Sequence, residues 1–290
     1  VLVCAYLLLL KFSAKKFIII SFQANIPAII LSKIFNAKII IRSNSSPNFY
    51  AKNLIKRKIM QFFYSFADKV IVNSDKFRIE FKKFFKIDAV RIFNPLEDTK
   101  KLKYLSKKKI IFPFFDKNSK KNIKILSIGR LVHQKDHITI LKALNLIKKK
   151  INFKLCIIGK GDQKENLLNY IKEKKMEKNV KLAGYKKNIY PFYRKADLFI
   201  LSSLYEGLPN TLIEANYFDL KIISSNCKTG PQEILKPNKS SKLFKVGDFK
   251  ELSKYILLTK YNRRKKFNID KRFDFSNNLE NYRKIILSNL

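Results

Sequence analysis

The chain has 290 residues, of which 46% are hydrophobic, and a formal net charge of +40. This hydrophobic content excludes a disordered chain and suffices for two α/β units of ordinary size. Cys4, Cys156 and Cys227 lie far apart without a C-x-x-C pair, which excludes a disulfide framework or a zinc site and suits a reducing cytosol. Residues 1–10 are apolar but too few to span a bilayer, and we interpret them as a buried helix.

The positive charge has two interpretations. In the first, the field draws the protein to an anionic surface such as phospholipid head groups or nucleic acid. In the second, the lysines reflect compositional drift in an AT-rich genome, because they are spread along the chain, glycines number only 7 and tryptophan is absent. The sequence contains no recognised nucleic-acid-binding motif, so we expect an anionic membrane surface rather than a specific nucleic acid as the partner.

Apolar runs of strand length alternate with helical patterns from residue 17 onwards, which predicts parallel β-α-β units. The predicted strands of the first part cover residues 17–21, 37–41, 69–72 and 90–93. Gln23, Arg42 and Asn44 follow the first two strands, and we expect them to face a ligand cleft at the strand ends. Ser74 follows the third strand and is predicted to cap the next helix.

Residues 100–122 are rich in lysine and lack a sustained period, which is typical of a linker. The β-α alternation then restarts, with strands predicted over residues 123–128, 153–158, 180–182, 198–201, 221–224 and 243–246. We therefore predict a Rossmann-like N-terminal domain over residues 1–112 and a second Rossmann-like domain over residues 113–262. Residues 263–290 are predicted to be a helical tail that packs back toward the first domain.

Two groups of polar residues lie at predicted strand ends, where open doubly wound sheets bind their ligands. In the first group, Gly129 and Arg130 follow a strand and Lys135 comes five residues after Arg130. The glycine permits close approach of a ligand, and the two cations can grip a diphosphate.

The second group runs from Glu206 to Glu214. Gly207 permits a tight turn, Pro209 suits the first helical position, and the amides beyond it form an anion site. The two carboxylates can border one ligand and accept hydrogen bonds from sugar or ribose hydroxyls. The alternative is a capped helix with two solvated glutamates.

His133 and His137 are four residues apart and can share a helical face, but Gln134 stands where an H-E-x-x-H motif needs glutamate. No metal site is predicted.

The motif order is Gly129-Arg130-Leu131 with Lys135, then Gly159-x-Gly161, Gly184-Tyr185 and Glu206-x7-Glu214. This order resembles the retaining glycosyltransferase family 4 of the GT-B fold. The block 224–235, which contains Thr229-Gly230-Pro231, resembles a segment that follows the motif in enzymes of bacterial surface glycans. The resemblance implies an α/β fold with two Rossmann-like, doubly wound parallel-sheet domains facing a cleft.

By the same resemblance, Arg130 and Lys135 bind the donor diphosphate and steady the leaving group. Glu206 faces the donor sugar and is catalytic with these two cations, while Glu214 holds the ribose hydroxyls. Further donor-binding positions implied by the family are Gly129, Gly184, Tyr185, Lys186, Gly207, Leu208, Pro209, Asn210 and Thr211, of which Gly184, Tyr185 and Lys186 lie where the family holds the base. Gln23, Arg42 and Asn44 are expected on the acceptor side.

The resemblance implies transfer of a hexose or N-acetylhexosamine from a UDP-sugar to a lipid-linked or surface-polysaccharide acceptor, with retention. No cofactor or metal is expected, because cations can stabilise the diphosphate and no D-x-D motif is present. We expect a cytoplasmic protein, peripheral on the inner face of the plasma membrane. The first half lacks the family's opening strand and glycine loop, which predicts an N-terminally truncated, incomplete first domain. The alternatives are a GDP-mannose-dependent mannosyltransferase, an inactive remnant and a polyanion-binding protein.

Overall fold

The computed structural model describes residues 17–51, 53–110, 112–116, 122–236, 241–259, 267 and 270–289. The predicted helix over residues 1–10 lies outside this part. The chain divides into two compact units, one formed by Val1–Pro95 with Lys271–Leu290 and the other by Leu96–Asp270. Both units are built on parallel sheets, as predicted.

The first unit contains a four-stranded sheet in the order β1-β2-β3-β4. Its strands are β1 (Ile18–Ser21), β2 (Lys38–Ser43), β3 (Lys69–Val72) and β4 (Val90–Arg91). The helices between them are α1 (Asn25–Ile34), α2 (Pro47–Tyr50), α3 (Leu54–Ser65) and α4 (Asp75–Phe85). Ser74 caps α4 by accepting a hydrogen bond from the Phe77 amide, which confirms the prediction.

Helices cover both faces of this first sheet. Ile39 and Ile41 on β2 pack with Phe77 and Phe81 of α4 on one face. Ile40 points to the other face, where residues of the C-terminal helix (Phe275–Leu287) pack against it. Alternate residues of a strand point to opposite faces, so burial of both faces explains the unbroken apolar run of β2.

The second unit contains a six-stranded parallel sheet in the order β10-β9-β8-β5-β6-β7. Its strands are β5 (Ile123–Ile128), β6 (Phe153–Ile158), β7 (Val180–Leu182), β8 (Leu198–Leu201), β9 (Lys221–Ser225) and β10 (Lys242–Phe244). Its helices are α5 (Thr99–Lys107), α6 (Pro113–Asp116), α7 (His137–Ile147), α8 (Lys164–Glu173), α9 (Tyr190–Lys195), α10 (Asn210–Tyr217), α11 (Pro231–Leu235) and α12 (Phe249–Leu258). Strands β5 and β8 are neighbours although they are distant in sequence, so the crevice beyond their carboxyl ends is a topological switch point.

The segment predicted as a linker, residues 100–122, contains helices α5 and α6 instead. Leu102 of α5 is fully buried, and the helix packs against α9 of the second unit. The Asn188 side chain also donates a hydrogen bond to the Leu105 carbonyl, at 2.9 Å. These contacts explain why the division between the units falls after Pro95, upstream of the boundary predicted at residue 112.

In the part of the chain that the structure describes, no helix is both long and apolar enough to cross a membrane.

Candidate functional site

The loop after β5 is anchored in the hydrophobic core by one residue and exposes one cation. Leu131 is 1% exposed and anchors the loop in the core, while Arg130 before it is exposed. A Cβ at Gly159, in the loop after β6, would lie 1.9 Å from the Gly129 carbonyl oxygen. Only glycine permits this approach, so the loops after β5 and β6 lie against each other.

The second cation of this loop, Lys135, reaches the loop after β8. Its Nζ lies 2.5 Å from Oε1 of Glu206, and the two side chains are 17% and 7% exposed. The Ser202 hydroxyl lies 2.8 Å from the Asp136 carbonyl oxygen and 3.0 Å from that of Lys135. Residues of two predicted groups thus meet at the switch point between β5 and β8.

The Glu206 carboxylate is held from a second direction. The Ser203 hydroxyl donates to the same Oε1 at 2.6 Å, and the Thr229 hydroxyl donates to the Glu206 carbonyl. Within the described part of the chain, Oε2 of Glu206 makes no hydrogen bond. The arrangement therefore fixes the carboxylate and keeps one oxygen for another donor.

The loop after β9 packs on the loop that carries Glu206. Gly230 has a φ of +87°, and a Cβ there would lie 2.2 Å from the Gly207 carbonyl oxygen. Both the left-handed backbone and the close approach require glycine at this position. The Thr229-Gly230-Pro231 block therefore supports the predicted donor loop directly.

Helix α10 begins at Asn210, and Pro209 is its cap residue. The prediction of Pro209 at the first helical position is wrong by one residue, because its ψ of 107° is extended rather than helical. Leu208 is buried and anchors the turn, and Thr211 lies half-buried in the first helical turn.

Glu214 lies in the middle of α10. Its Oε2 accepts a hydrogen bond from the Tyr193 hydroxyl at 2.8 Å. Burial raises the pKa of Glu214 to about 7, and this outweighs the Tyr193 hydrogen bond, which favours the carboxylate. Glu214 is thus not a solvated surface glutamate, which the alternative of a capped helix with two solvated glutamates required.

The predicted base-binding residues follow β7. The Gly159 amide donates to the Gly184 carbonyl at 3.0 Å, so this loop adjoins the loops after β5 and β6. Tyr185 is 66% exposed, and the Lys160 ammonium lies 5.4 Å from its ring centroid. Lys186 is exposed next to it.

The two histidines do not share a helical face. His133 lies in a 3₁₀ turn and His137 begins α7, because Asp136 between them has a left-handed backbone with a φ of +45°. His137 is buried, with Nδ1 at 3.3 Å from the Ser127 hydroxyl. Among the described residues, no three His, Cys, Asp or Glu side chains are grouped as metal ligands.

The predicted acceptor-side residues lie together in the first unit. Gln23, Arg42 and Asn44 line a pocket of about 430 Å³. Arg42 is buried, its Nη2 donates to Asn94 at 2.5 Å, and its guanidinium lies 5.9 Å from the Phe22 ring centroid. A buried, oriented cation therefore forms part of the wall of this pocket.

Sequence reasoning missed three residues at these sites: Ser203, Tyr193 and Lys160. Ser203 is fully buried beside Glu206 and carried a signal, because it follows the carboxyl end of β8. Tyr193 carried none, since its contact with Glu214 joins two helices.

An open parallel sheet with opposite charges at its switch point defines a Rossmann-like α/β protein with a ligand site at strand ends. Residues 97–278 match the family of glycosyl transferases group 1. The chain is 34% identical, over 81% of its length, to an uncharacterised glycosyltransferase of Methanocaldococcus jannaschii. It is 30% identical, over 80% of its length, to a Campylobacter jejuni α-1,4-N-acetyl-D-galactosaminyltransferase named for a PP-undecaprenol-linked acceptor.

Among solved structures, the fold is similar to that of Anabaena HepE in complex with UDP and glucose. The TM-score is 0.73 at 16% identity, with 98% of this chain and 81% of HepE covered. The chain spans 60% and 61% of the lengths of the two relatives above. The chain belongs to the glycosyl transferases group 1 family, and its fold is GT-B.

Proposed function

We propose that the second unit binds a UDP-sugar and that the protein transfers its hexose or N-acetylhexosamine with retention of configuration. The observation that carries this proposal is the Lys135–Glu206 contact at the switch point, with Arg130 exposed on the same loop. A cation for the diphosphate and a carboxylate for the sugar are thereby held together before any ligand arrives.

In this proposal Arg130 and Lys135 act on the leaving group. As the bond from the anomeric carbon to the phosphate loosens, negative charge grows on the departing diphosphate. An ammonium has three donors, so Lys135 can keep its bond to Glu206 and still donate to a phosphate oxygen. Cations fixed in advance stabilise that charge more in the transition state than in the ground state. They take the place of a metal, so the proposal includes metal-independent transfer without a cofactor.

The carboxylates hold the two ends of the donor. Oε2 of Glu206 accepts a hydrogen bond from a sugar hydroxyl, and the Glu214 carboxylate accepts hydrogen bonds from the ribose hydroxyls. Residues of the surrounding loops contribute the rest of the proposed donor site: Gly129, Gly184, Tyr185, Lys186, Gly207, Leu208, Pro209, Asn210 and Thr211. The exposed Tyr185 ring offers a flat surface for the base, and the helix α10 amino terminus carries a partial positive charge suited to phosphate.

The proposed acceptor is lipid-linked or part of a growing surface polysaccharide. The pocket with Gln23, Arg42 and Asn44 supports this, because it combines polar side chains with the aromatic Phe22 and Tyr64. Sugars suit such mixed walls, and Arg42 suits a phosphate on the acceptor. The proposal places the protein in the cytoplasm, peripheral on the inner membrane face.

Calorimetric titration with UDP and GDP, with wild-type protein and Glu214→Ala, tests the donor assignment. We expect UDP to bind more tightly than GDP, and the variant to weaken UDP binding by about tenfold. Lys172→Ala, which changes an exposed lysine of helix α8 outside these loops, is the control and should bind as wild type. Equal binding by Glu214→Ala contradicts the assignment, and tighter GDP binding favours a GDP-mannose donor instead.

The reaction is tested with a UDP-sugar and a lipid-diphosphate acceptor. NMR of the product should show the donor's anomeric configuration, and EDTA should leave the rate unchanged. Inversion of configuration, or loss of activity in EDTA, contradicts the retaining or the metal-independent part of the proposal respectively.

A further inference from the structure

Helix α3 exposes an apolar stripe. Ile55, Ile59, Phe62 and Phe66 are 71%, 46%, 59% and 41% exposed. Their spacing of four, three and four residues places them on one side of the helix. The Phe62 and Phe66 rings touch, with centroids 5.0 Å apart. We call these four residues the outer stripe.

The opposite side of the same helix packs in the first unit. Asn53 caps α3 by accepting a hydrogen bond from the Lys56 amide at 2.8 Å. On the inner side, Tyr64 is 6% exposed and stacks on Phe81 with ring centroids 5.8 Å apart. The helix therefore has two apolar sides, and the first unit buries only one of them.

The charged residues of α3 and of the neighbouring helix α1 are all positive. Lys56 and Lys58 are exposed within α3, and Lys33 is exposed on α1, which packs against α3. The first acidic residue of the whole chain is Asp68. The neighbouring helix α1 adds exposed apolar side chains, with Ile30 at 43% and Ile34 at 62%.

We propose that the outer stripe and its lysines bind the surface of an anionic phospholipid bilayer. A helix lies in a membrane interface when an apolar side enters the acyl boundary and flanking lysines reach the phosphates. A second copy of the chain would bring two positive faces together, and nucleic acid gives no reason for an aliphatic and phenyl stripe. This inference rests on the proposed membrane-peripheral function and assigns the surface that carries it out.

A single tryptophan tests insertion directly, because the chain contains no tryptophan. Phe62→Trp places the only indole in the outer stripe. Leu258→Trp is the matched control, since Leu258 is 66% exposed on α12. With vesicles of phosphatidylglycerol and phosphatidylcholine, the tryptophan fluorescence of Phe62→Trp should shift to shorter wavelength and become resistant to acrylamide quenching. The fluorescence of the control should show neither change. No shift for Phe62→Trp, or the same shift for both variants, overturns the proposal.

Co-sedimentation measures the affinity. We expect the triple variant Ile55→Gln/Ile59→Gln/Phe62→Gln to bind anionic vesicles with about one tenth of the wild-type affinity or even lower affinity, because three apolar anchors are lost. The control Leu146→Gln/Leu168→Gln/Leu258→Gln removes three exposed leucines elsewhere and should bind as wild type. Wild-type binding by the triple variant overturns the proposal. The proposal is also overturned if wild type is a dimer in sedimentation velocity and the triple variant loses the dimer but keeps its vesicle binding. That result would assign the stripe to self-association.

UDP titration of the same variants separates this proposal from the donor assignment. The outer stripe lies in the first unit and the donor residues lie in the second. Weak vesicle binding with normal UDP affinity supports the membrane surface whatever the acceptor proves to be. Absence of UDP binding in every variant, wild type included, contradicts the proposed function but leaves the vesicle result valid.

Discussion

The Lys135 ammonium and the Glu206 carboxylate lie 2.5 Å apart although 71 positions separate them in sequence. Their contact joins the loop after β5 to the loop after β8, which are the two loops that flank the topological switch point. Because both side chains are largely buried, each charge depends on the other for solvation. The pair therefore has a structural role in addition to its proposed role toward the donor.

Removal of Lys135 should affect stability and transfer together. We expect Lys135→Met to lower the free energy of unfolding by about 3 kcal/mol, because Glu206 then remains buried with only Ser203 as donor. Turnover should fall by about 10²–10³-fold through loss of a leaving-group cation. Urea unfolding and product assays measure the two effects. The double variant Lys135→Met/Glu206→Gln should recover part of the stability but none of the turnover, and equal instability of both would argue against the buried pair.

Arg130 offers the contrasting case. Its side chain is exposed, and Nη2 makes one long contact of 3.4 Å with the Gln134 side chain. We therefore expect Arg130→Ala to change the free energy of unfolding by no more than about 0.5 kcal/mol. Turnover should fall by about 10²-fold, because the second cation for the diphosphate is lost. Arg130→Lys should restore only part of it, since an ammonium lacks the planar fork. Full activity of Arg130→Ala would remove Arg130 from the mechanism.

The fold was predictable because parallel strands buried on both faces are written as continuous apolar runs. Ile39, Ile40 and Ile41 are all buried, on alternating faces of β2, so no polar residue interrupts this part of the strand. Helix α5 defeated the same reasoning, because lysines dominate it and Leu102 is the single fully buried hydrophobic residue of the helix. Asp98, which caps α5 by accepting from the Lys100 amide, was the available signal.

For the candidate site, the sequence predicted which loops come together but not which contacts they make. Strand-end positions identified Lys135 and Glu206 separately, and the resemblance placed both at the donor. Nothing in local spacing shows that Ser203 shares the same carboxylate oxygen with Lys135, because that requires the β5–β8 adjacency. The left-handed Asp136 that separates the two histidines also has no strong sequence signal, since only glycine adopts this conformation routinely.

Nucleotide affinity should depend on pH through Glu214. Its pKa is raised to about 7 by burial, so the carboxyl is partly protonated near neutrality. Ribose hydroxyls donate to the ionised form, and we therefore expect UDP affinity to rise about tenfold from pH 6 to pH 8. Calorimetry of wild type and Glu214→Gln over this range isolates the effect from titration of UDP itself. Parallel pH profiles for the two proteins would contradict the role of Glu214.

His137 is a buried base beneath the loop that carries the proposed diphosphate cations. The pKa of His137 is lowered to about 4, chiefly by burial and also by the nearby Lys135 charge, while contacts with the backbone of Arg130 and Gly129 oppose the shift. Its Nε2 has no hydrogen-bond partner within the described chain. The folded protein therefore holds His137 neutral at pH values where the unfolded chain protonates it.

This difference sets the direction of the pH effect on stability. Since the folded pKa is below the ordinary value of 6.5, the unfolded state binds the proton first, and unfolding becomes easier as pH falls from 6.5 to 4. For this residue we expect a loss of about 3 kcal/mol across that window. His137→Asn keeps a polar group near Ser127 but cannot take up the proton, so its free energy of unfolding should fall less steeply. Urea unfolding of both proteins at several pH values gives the difference between their free energies of unfolding. This difference should shrink toward acid pH, because wild type loses stability faster than the variant. A constant difference between the two curves would show that His137 does not titrate on unfolding.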